Sequence, residues 1–268
     1  MKMKKKISLI LSMGLLVFSL SGCSSNNQSS DSTNNNEEEV TITLAAAASL
    51  KNCMDDEIIP MFNEKYPNIK VQATYDSSGK LQSQIEEGAD IDVFMSAAKK
   101  QMNALDEEGL IESGSIVELL ENKVVLIVPK GSEIGIKSFD DILKSDKIAI
   151  GDPASVPAGQ YAQELFENLN IWDEVSEKAS LGTNVTEVLN WVAEASADSG
   201  VVYSTDAASN DKVEVVAEAP EGSVSKVIYP IGIIKNSQNK EAAKNFNDFL
   251  QTDEAMKIFE SYGFSANK

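Results

Sequence analysis

From Val40 onward the chain repeats one local pattern. A strand-like apolar run ends in a loop of small or hydroxylated residues, and a helical periodicity follows. Residues 40–46 lead into a helix over 49–65, 69–75 into 79–87, and 91–96 into 99–108. Residues 147–150 lead into 159–169, and Leu181-Gly182-Thr183-Asn184 opens a helix over 185–195. Further strands are predicted at 124–128, 200–203, 213–217 and 226–234. A short helix is predicted at 139–144 with Ser138 as its cap, and a single long one at 240–262. Strands alternating with helices define an α/β chain with largely parallel sheets, which binds ligands beyond the carboxyl ends of its strands.

The loops carry the chemistry. Ala45-Ala46-Ala47-Ala48-Ser49, Asp76-Ser77-Ser78-Gly79, Val156-Pro157-Ala158-Gly159 and Leu181–Asn184 each stand before a helix start. There four backbone N–H groups lack intrahelical partners and the macrodipole favours negative charge. Ser49 and Ser78 are placed as N-caps, and Asn184 with Glu187 has capping-box spacing. Tyr203 ends a buried strand, where its phenol O–H needs a partner. Each loop alone is an ordinary tight turn. Together they suit a small oxyanion held by neutral N–H and O–H donors.

The first residues read as a separate signal. Lys2, Lys4, Lys5 and Lys6 precede an apolar run over 7–20, shorter than the roughly 20 residues of a spanning helix. Leu20-Ser21-Gly22-Cys23 resembles the lipobox of bacterial lipoproteins, which implies cleavage before Cys23 and acylation of its thiol. The alternative is an ordinary signal peptide with a chance cysteine. Residues 24–39 contain no apolar side chain, so nothing offsets the entropy of ordering them. The expected organisation is a signal over 1–22, a disordered stalk over 23–39, a first lobe over 40–122 and 229–268, and a second lobe over 123–228. The chain then crosses between lobes near Glu121–Lys123 and near Val227–Pro230.

Composition excludes several functions. The formal charge is −19, and removing residues 1–22 takes away four lysines and no acid, leaving −23. Nucleic acid is thereby disfavoured as a partner. There is no His and no Arg, so imidazole catalysis and guanidinium clamps are ruled out. Beyond Cys23 the sole cysteine is Cys53, expected as a buried inert thiol, so no disulfide forms within the domain.

The motifs Ala46–Leu50, Ser77-Ser78-Gly79, Gln84–Ser96, Gly151-Asp152-Pro153 with Val156–Tyr161, Trp191-Val192, Val202–Ala207 and Tyr262-Gly263-Phe264 stand in this order along the chain. Together they resemble the molybdate-binding proteins of bacterial ABC transporters, over about residues 40–264. The resemblance implies a two-lobed periplasmic-binding-protein fold, each lobe a central mostly parallel sheet flanked by helices, closing at a hinge on molybdate or tungstate. It implies ligand contacts from Ser49 and Ser78 in one lobe. In the other they come from the backbone N–H groups of Ala158 and Val185 and from the Tyr203 hydroxyl. Lys80 departs from the pattern where some relatives carry a neutral residue; it either leans toward the anion or is a solvated helix-surface side chain. No cofactor is implied. The expected partners are the oxyanion, ABC permease subunits and the membrane through the lipid anchor, with the protein a monomer on the extracytoplasmic face.

A donor-only cage suits an anion without a proton. Hydrogen phosphate would leave its proton unpaired at about 1–3 kcal/mol, and sulfate has shorter bonds than a cage spaced for molybdate. Sulfate is the alternative ligand. From other classes, a hydrolase would need Ser49 or Ser78 as nucleophile with Lys80 as the only nearby base, and an adhesin or sensor would not need intact pocket hydroxyls.

Overall fold

The computed structural model describes residues 39–267. The signal segment 1–22, Cys23 and the stalk up to residue 38 lie outside the described residues. The chain opens with β1 (Val40–Ala47), a 3₁₀ turn (Ala48–Leu50), α1 (Lys51–Cys53), a π-helical segment (Met54–Ile58) and α2 (Ile59–Lys65). Then come β2 (Ile69–Asp76), α3 (Ser78–Glu86), β3 (Val93–Met95), α4 (Lys99–Glu107) and β4 (Val117–Asn122). After Lys123 the next group begins with β5 (Val124–Pro129), a 3₁₀ helix (Phe139–Lys144), β6 (Ile148–Gly151), α5 (Pro157–Asn168) and α6 (Trp172–Lys178). It continues with β7 (Ala179–Gly182), α7 (Val185–Ala193), β8 (Ser199–Tyr203), α8 (Ser204–Ala208) and β9 (Val213–Glu218). The chain closes with β10 (Val227–Ile233), α9 (Lys240–Leu250), α10 (Asp253–Ser261) and β11 (Ser265–Ala266).

Two sheets result, ordered β11-β4-β10-β3-β1-β2 and β7-β6-β8-β5-β9. The chain leaves the first sheet at Asn122 and returns to it at Val227, which pairs directly with Asn122. Helices flank both sheets, and the architecture is the two-lobed α/β fold. The sheets are mixed rather than mostly parallel. Strands β2, β1 and β3 run parallel, as do β7, β6 and β8. Every antiparallel pairing includes β4, β5 or β10, the strands at the two passages between sheets. Hydrophobic alternation reports which face of a strand is buried, but not which way its neighbour runs.

Other differences have local causes. β4 reads Val-Glu-Leu-Leu-Glu-Asn, without alternation, and was not predicted; neither were α6, with Val175 as its one buried residue, β7, whose Leu181 is exposed at a sheet edge, or the two-residue β11. Ser138 precedes a 3₁₀ helix but makes no cap bond; Asp141 Oδ2 instead accepts from Lys137 N–H at 3.0 Å. The predicted helix over 240–262 is two helices. Thr252 Oγ1 donates to Phe249 O at 2.8 Å and accepts from Ala255 N–H at 3.3 Å, ending one and capping the next.

The first lobe's core packs Phe62 against Phe246 and Phe249, with ring centroids at 4.9 and 5.4 Å. α9 supplies this face through Ala242, Ala243, Phe246, Phe249 and Leu250, spaced as one stripe of a helix. Cys53 is buried, its thiol donates to Leu50 O at 3.1 Å, and burial pushes its pKa up to about 12, so the thiolate does not form at neutral pH.

Thr252→Ala removes the α10 cap and is expected to cost about 1 kcal/mol of stability, read as a lower urea midpoint at unchanged slope.

Candidate functional site

Glycines and small residues let five strand ends converge. β1 ends in Ala45, Ala46 and Ala47, all buried, and passes into the turn carrying Ser49. β2 ends at Asp76, and Ser77, with extended backbone, precedes α3. β6 ends at Gly151, and α5 is pressed onto it. A Cβ on Gly159 would stand 2.0 Å from Gly151 O, and one on Gly151 would stand 2.5 Å from Val156 Cγ1. β7 ends at Gly182, where a Cβ would stand 2.8 Å from Val188 Cγ2 of α7. β8 ends at Tyr203.

Two of the predicted caps are placed differently. Ser49 lies inside the 3₁₀ turn, which Ala47 precedes. Ser77, not Ser78, precedes α3, and neither Ser77 nor Val156, which precedes α5, makes a side-chain cap bond. Asn184 does cap α7, its Oδ1 accepting from Glu187 N–H at 3.0 Å. Glu187 reaches back one residue further than a capping box, to Thr183 N–H and Oγ1. Ala158 is the second residue of α5 and Val185 the first of α7, so their N–H groups are among those with no partner inside the helix.

Ser49, Ser78, Ala158, Val185 and Tyr203 line one small cavity between the sheets, together with Ala48, Asp76, Ser77, Ala97 and Pro157 among others. Ser78, Ala158 and Tyr203 are essentially without solvent contact. Two hydroxyls there are buried with no hydrogen-bond partner, Ser77 Oγ and Tyr203 Oη. A buried unpaired hydroxyl costs about 1–3 kcal/mol, so both are poised to bond whatever acceptor enters. Ser78 Oγ accepts from Ala97 N–H at 2.9 Å, which leaves its own proton to donate.

The proton states follow from burial. Burial pushes the Tyr203 phenol well above the usual tyrosine value, with Tyr229, Tyr161 and Asp206 adding to the rise; the adjacent Tyr229 hydroxyl makes no hydrogen bond to it of acceptable geometry. Tyr203 is thus a donor at neutral pH. Asp206, also buried, is pushed up to about 7, although the N–H that Tyr203 donates to it at 3.2 Å acts the other way.

One carboxylate, Asp76, also lines the cavity and was not foreseen. Its Oδ1 accepts from Ser77 N–H at 2.8 Å and Asn184 Nδ2 at 3.4 Å, and Lys80 Nζ lies 3.3 Å from both its oxygens. Lys80 therefore pairs with Asp76, offsetting a charge that would repel an anion. Sequence reasoning also missed Ser77, whose neighbour seemed the better cap, as well as Asn122 and Tyr229, which lie far from any helix start.

The lobes meet closely around this cavity. Gly79 N–H donates to Ser155 O at 2.9 Å, Asn184 reaches Asp76, and Gln101 Nε2 donates to Gln160 Oε1 at 3.2 Å. A Cβ on Gly79 would sit 2.4 Å from Ser155 O and 2.7 Å from its Cα, contacts with backbone that no rotamer change relieves.

Two α/β lobes with a donor-lined cavity between them define the class of two-lobed solute-binding proteins. The description "Bacterial extracellular solute-binding protein" matches residues 42–265. A Bacillus subtilis protein named "Putative ABC transporter substrate-binding lipoprotein YvgL" is 42% identical, over 98% of this chain and all of its own. A Haemophilus influenzae molybdate-binding protein, ModA, is 37% identical over 82% of this chain and 88% of its own. Among solved structures, a "substrate binding domain of putative molybdenum ABC transporter from Clostridium difficile" is 41% identical, with a TM-score of 0.66, over 85% of this chain and all of its own. The chain belongs to the bacterial extracellular solute-binding proteins, in the branch that contains the molybdate-binding proteins of ABC transporters. This is a family of transport proteins, not enzymes. Among the described residues no helix is long and apolar enough to cross a membrane.

Gly79→Ala is expected to weaken ligand affinity at least about tenfold, because the close approach of Gly79 to Ser155 is obstructed; titration calorimetry checks it. For Asp206 the folded pKa lies above the unfolded one, so its contribution to stability falls as pH rises from about 4 to about 7 and is level above that. Asp206→Asn should therefore gain stability relative to wild type across that window, measured by denaturant unfolding at several pH values.

Proposed function

We propose that this protein captures molybdate, or tungstate of nearly the same size, in the cavity between its lobes and delivers it to an ABC permease. The observation that carries this reading is the pair of buried, partnerless hydroxyls, Ser77 Oγ and Tyr203 Oη, beside the uncapped starts of α3 and α5. Such a set offers hydrogen-bond donors to a small acceptor-rich anion, and a relative 37% identical is named for binding molybdate. The proposed contacts are the hydroxyls of Ser49, Ser78 and Tyr203 and the N–H groups of Ala158 and Val185. Charge-assisted bonds from such donors to an oxyanion are about twice as strong as neutral ones. Binding thus depends on local dipoles and tolerates the acidic net charge.

The proposed moving parts are the two passages between sheets, at Lys123 and between Glu218 and Val227. The lobes on either side are the chain up to Asn122 with the chain from β10 onward, and the segment between. Ligand contacts from both lobes favour the closed form, which the permease reads. Acylation at Cys23 holds a monomer at the outer face of the membrane; the B. subtilis relative is named a lipoprotein.

Titration calorimetry with molybdate, tungstate and sulfate tests the ligand. Molybdate and tungstate should bind far more tightly than sulfate; equal affinity for sulfate would overturn the size argument. Ser49→Ala, Ser78→Ala and Tyr203→Phe should each lose about 1–3 kcal/mol of molybdate binding, and wild-type affinity in all three would refute the assigned site.

A further inference from the structure

Ser49 differs from the other cavity hydroxyls in having a side-chain partner, Tyr229 Oη at 2.8 Å, for which either atom could be the donor. The surrounding bonds decide which one donates. Lys123 N–H, which can only donate, gives its proton to Asn122 Oδ1 at 2.8 Å, and Ser204 Oγ donates to the same oxygen at 2.9 Å. The Asn122 amide is thereby oriented, and its Nδ2 donates to Thr205 Oγ1 at 2.9 Å and to Tyr229 Oη at 3.3 Å. Tyr229 is fully buried, and burial holds its phenol protonated. If Ser49 donated to Tyr229, the Tyr229 proton would be buried without an acceptor. With Tyr229 donating to Ser49, the Tyr229 proton and both Asn122 Nδ2 protons have acceptors, and the Ser49 proton is left for the cavity.

We propose that Asn122 and Tyr229 are positioning residues for the anion site, forming a proton-ordered relay from Lys123 N–H that fixes Ser49 as a donor toward the ligand. This rests on the anion-binding reading above and deepens it. The relay starts at the passage out of the first sheet and runs through β10, the strand on which the chain returns. The polarity of one ligand contact is therefore set by the residues at the crossings. Ser78 reaches the same polarity through the N–H of Ala97. With both serines committed as donors, neither is set to accept from a protonated anion, and the carboxylate at the cavity, Asp76, is already engaged by Ser77 N–H, Asn184 and Lys80.

Two experiments decide the matter. Neutron diffraction from the perdeuterated protein reads the relay whatever the ligand. Deuterium on Tyr229 Oη directed at Ser49 Oγ supports it; deuterium on Ser49 directed at Tyr229 overturns it. Calorimetry with molybdate and with hydrogen phosphate reads its consequence. Tyr229→Phe frees Ser49 to donate or accept, so molybdate should bind about tenfold more weakly while phosphate changes less than twofold. Asn122→Asp should reverse the relay, since the carboxylate would accept a hydrogen bond from the Tyr229 hydroxyl and turn Ser49 to donate to Tyr229; a loss of about 100-fold for molybdate is expected. Equal losses for both anions in Tyr229→Phe, or none, would overturn the polarity argument. A wild-type protein that binds no tetrahedral anion would overturn the ligand reading instead, and the neutron map would still decide the relay.

Discussion

Everything around the cavity follows from the requirement that buried donors find acceptors. A backbone N–H or hydroxyl removed from water costs about 1–3 kcal/mol if unpaired, and proteins usually settle the account within a cap or a turn. Here the starts of α3 and α5 lack side-chain caps, and the hydroxyls of Ser77 and Tyr203 have no partner. The glycines at 151, 159 and 182 bring these groups close, since any side chain there would collide with neighbouring atoms. The fold thus concentrates unsatisfied donors at one point between two lobes.

The same requirement accounts for the site's electrostatics. A strongly acidic chain repels anions at long range, but that field is screened within about 10 Å at ordinary ionic strength. At the cavity, nearby dipoles dominate. Asp76 is the exception that would oppose an anion, and Lys80 together with the amides of Ser77 and Asn184 offsets it. Because Asn184 belongs to the other lobe, the interaction that tempers Asp76 also holds the lobes together. Gly79 and Ser155 make the same junction through backbone alone, so the close approach of the lobes depends on the absence of a single methyl group.

Much of this was legible in the sequence. The strand-loop-helix rhythm marked β1, β2, β3 and β6 and the helices after them, because each apolar run gives way to small residues and then to a helical period. Family motifs named Ser49, Ser78, Ala158, Val185 and Tyr203, and the structure brings all five to one cavity. The rest depended either on one residue of local register or on neighbours distant in sequence. Whether Ser77 or Ser78 precedes the helix turns on one residue of register. The directions of β4, β5 and β10 depend on where the chain passes between sheets, and Thr252 splits a helix that periodicity alone would continue.

By itself, then, the sequence determined the α/β class, the five residues at the loops and the absence of any imidazole or guanidinium group, since these depend on local pattern and composition. Only the tertiary structure decided that the sheets are mixed, that Asp76 is held by Lys80 and Asn184, and that Tyr229 and Asn122 stand behind Ser49. Those are contacts between segments more than a hundred residues apart, or between side chains whose facing depends on the packing of whole lobes. The physical reason is that periodicity encodes which side of an element is buried, whereas hydrogen-bond polarity is set by whatever the fold places opposite.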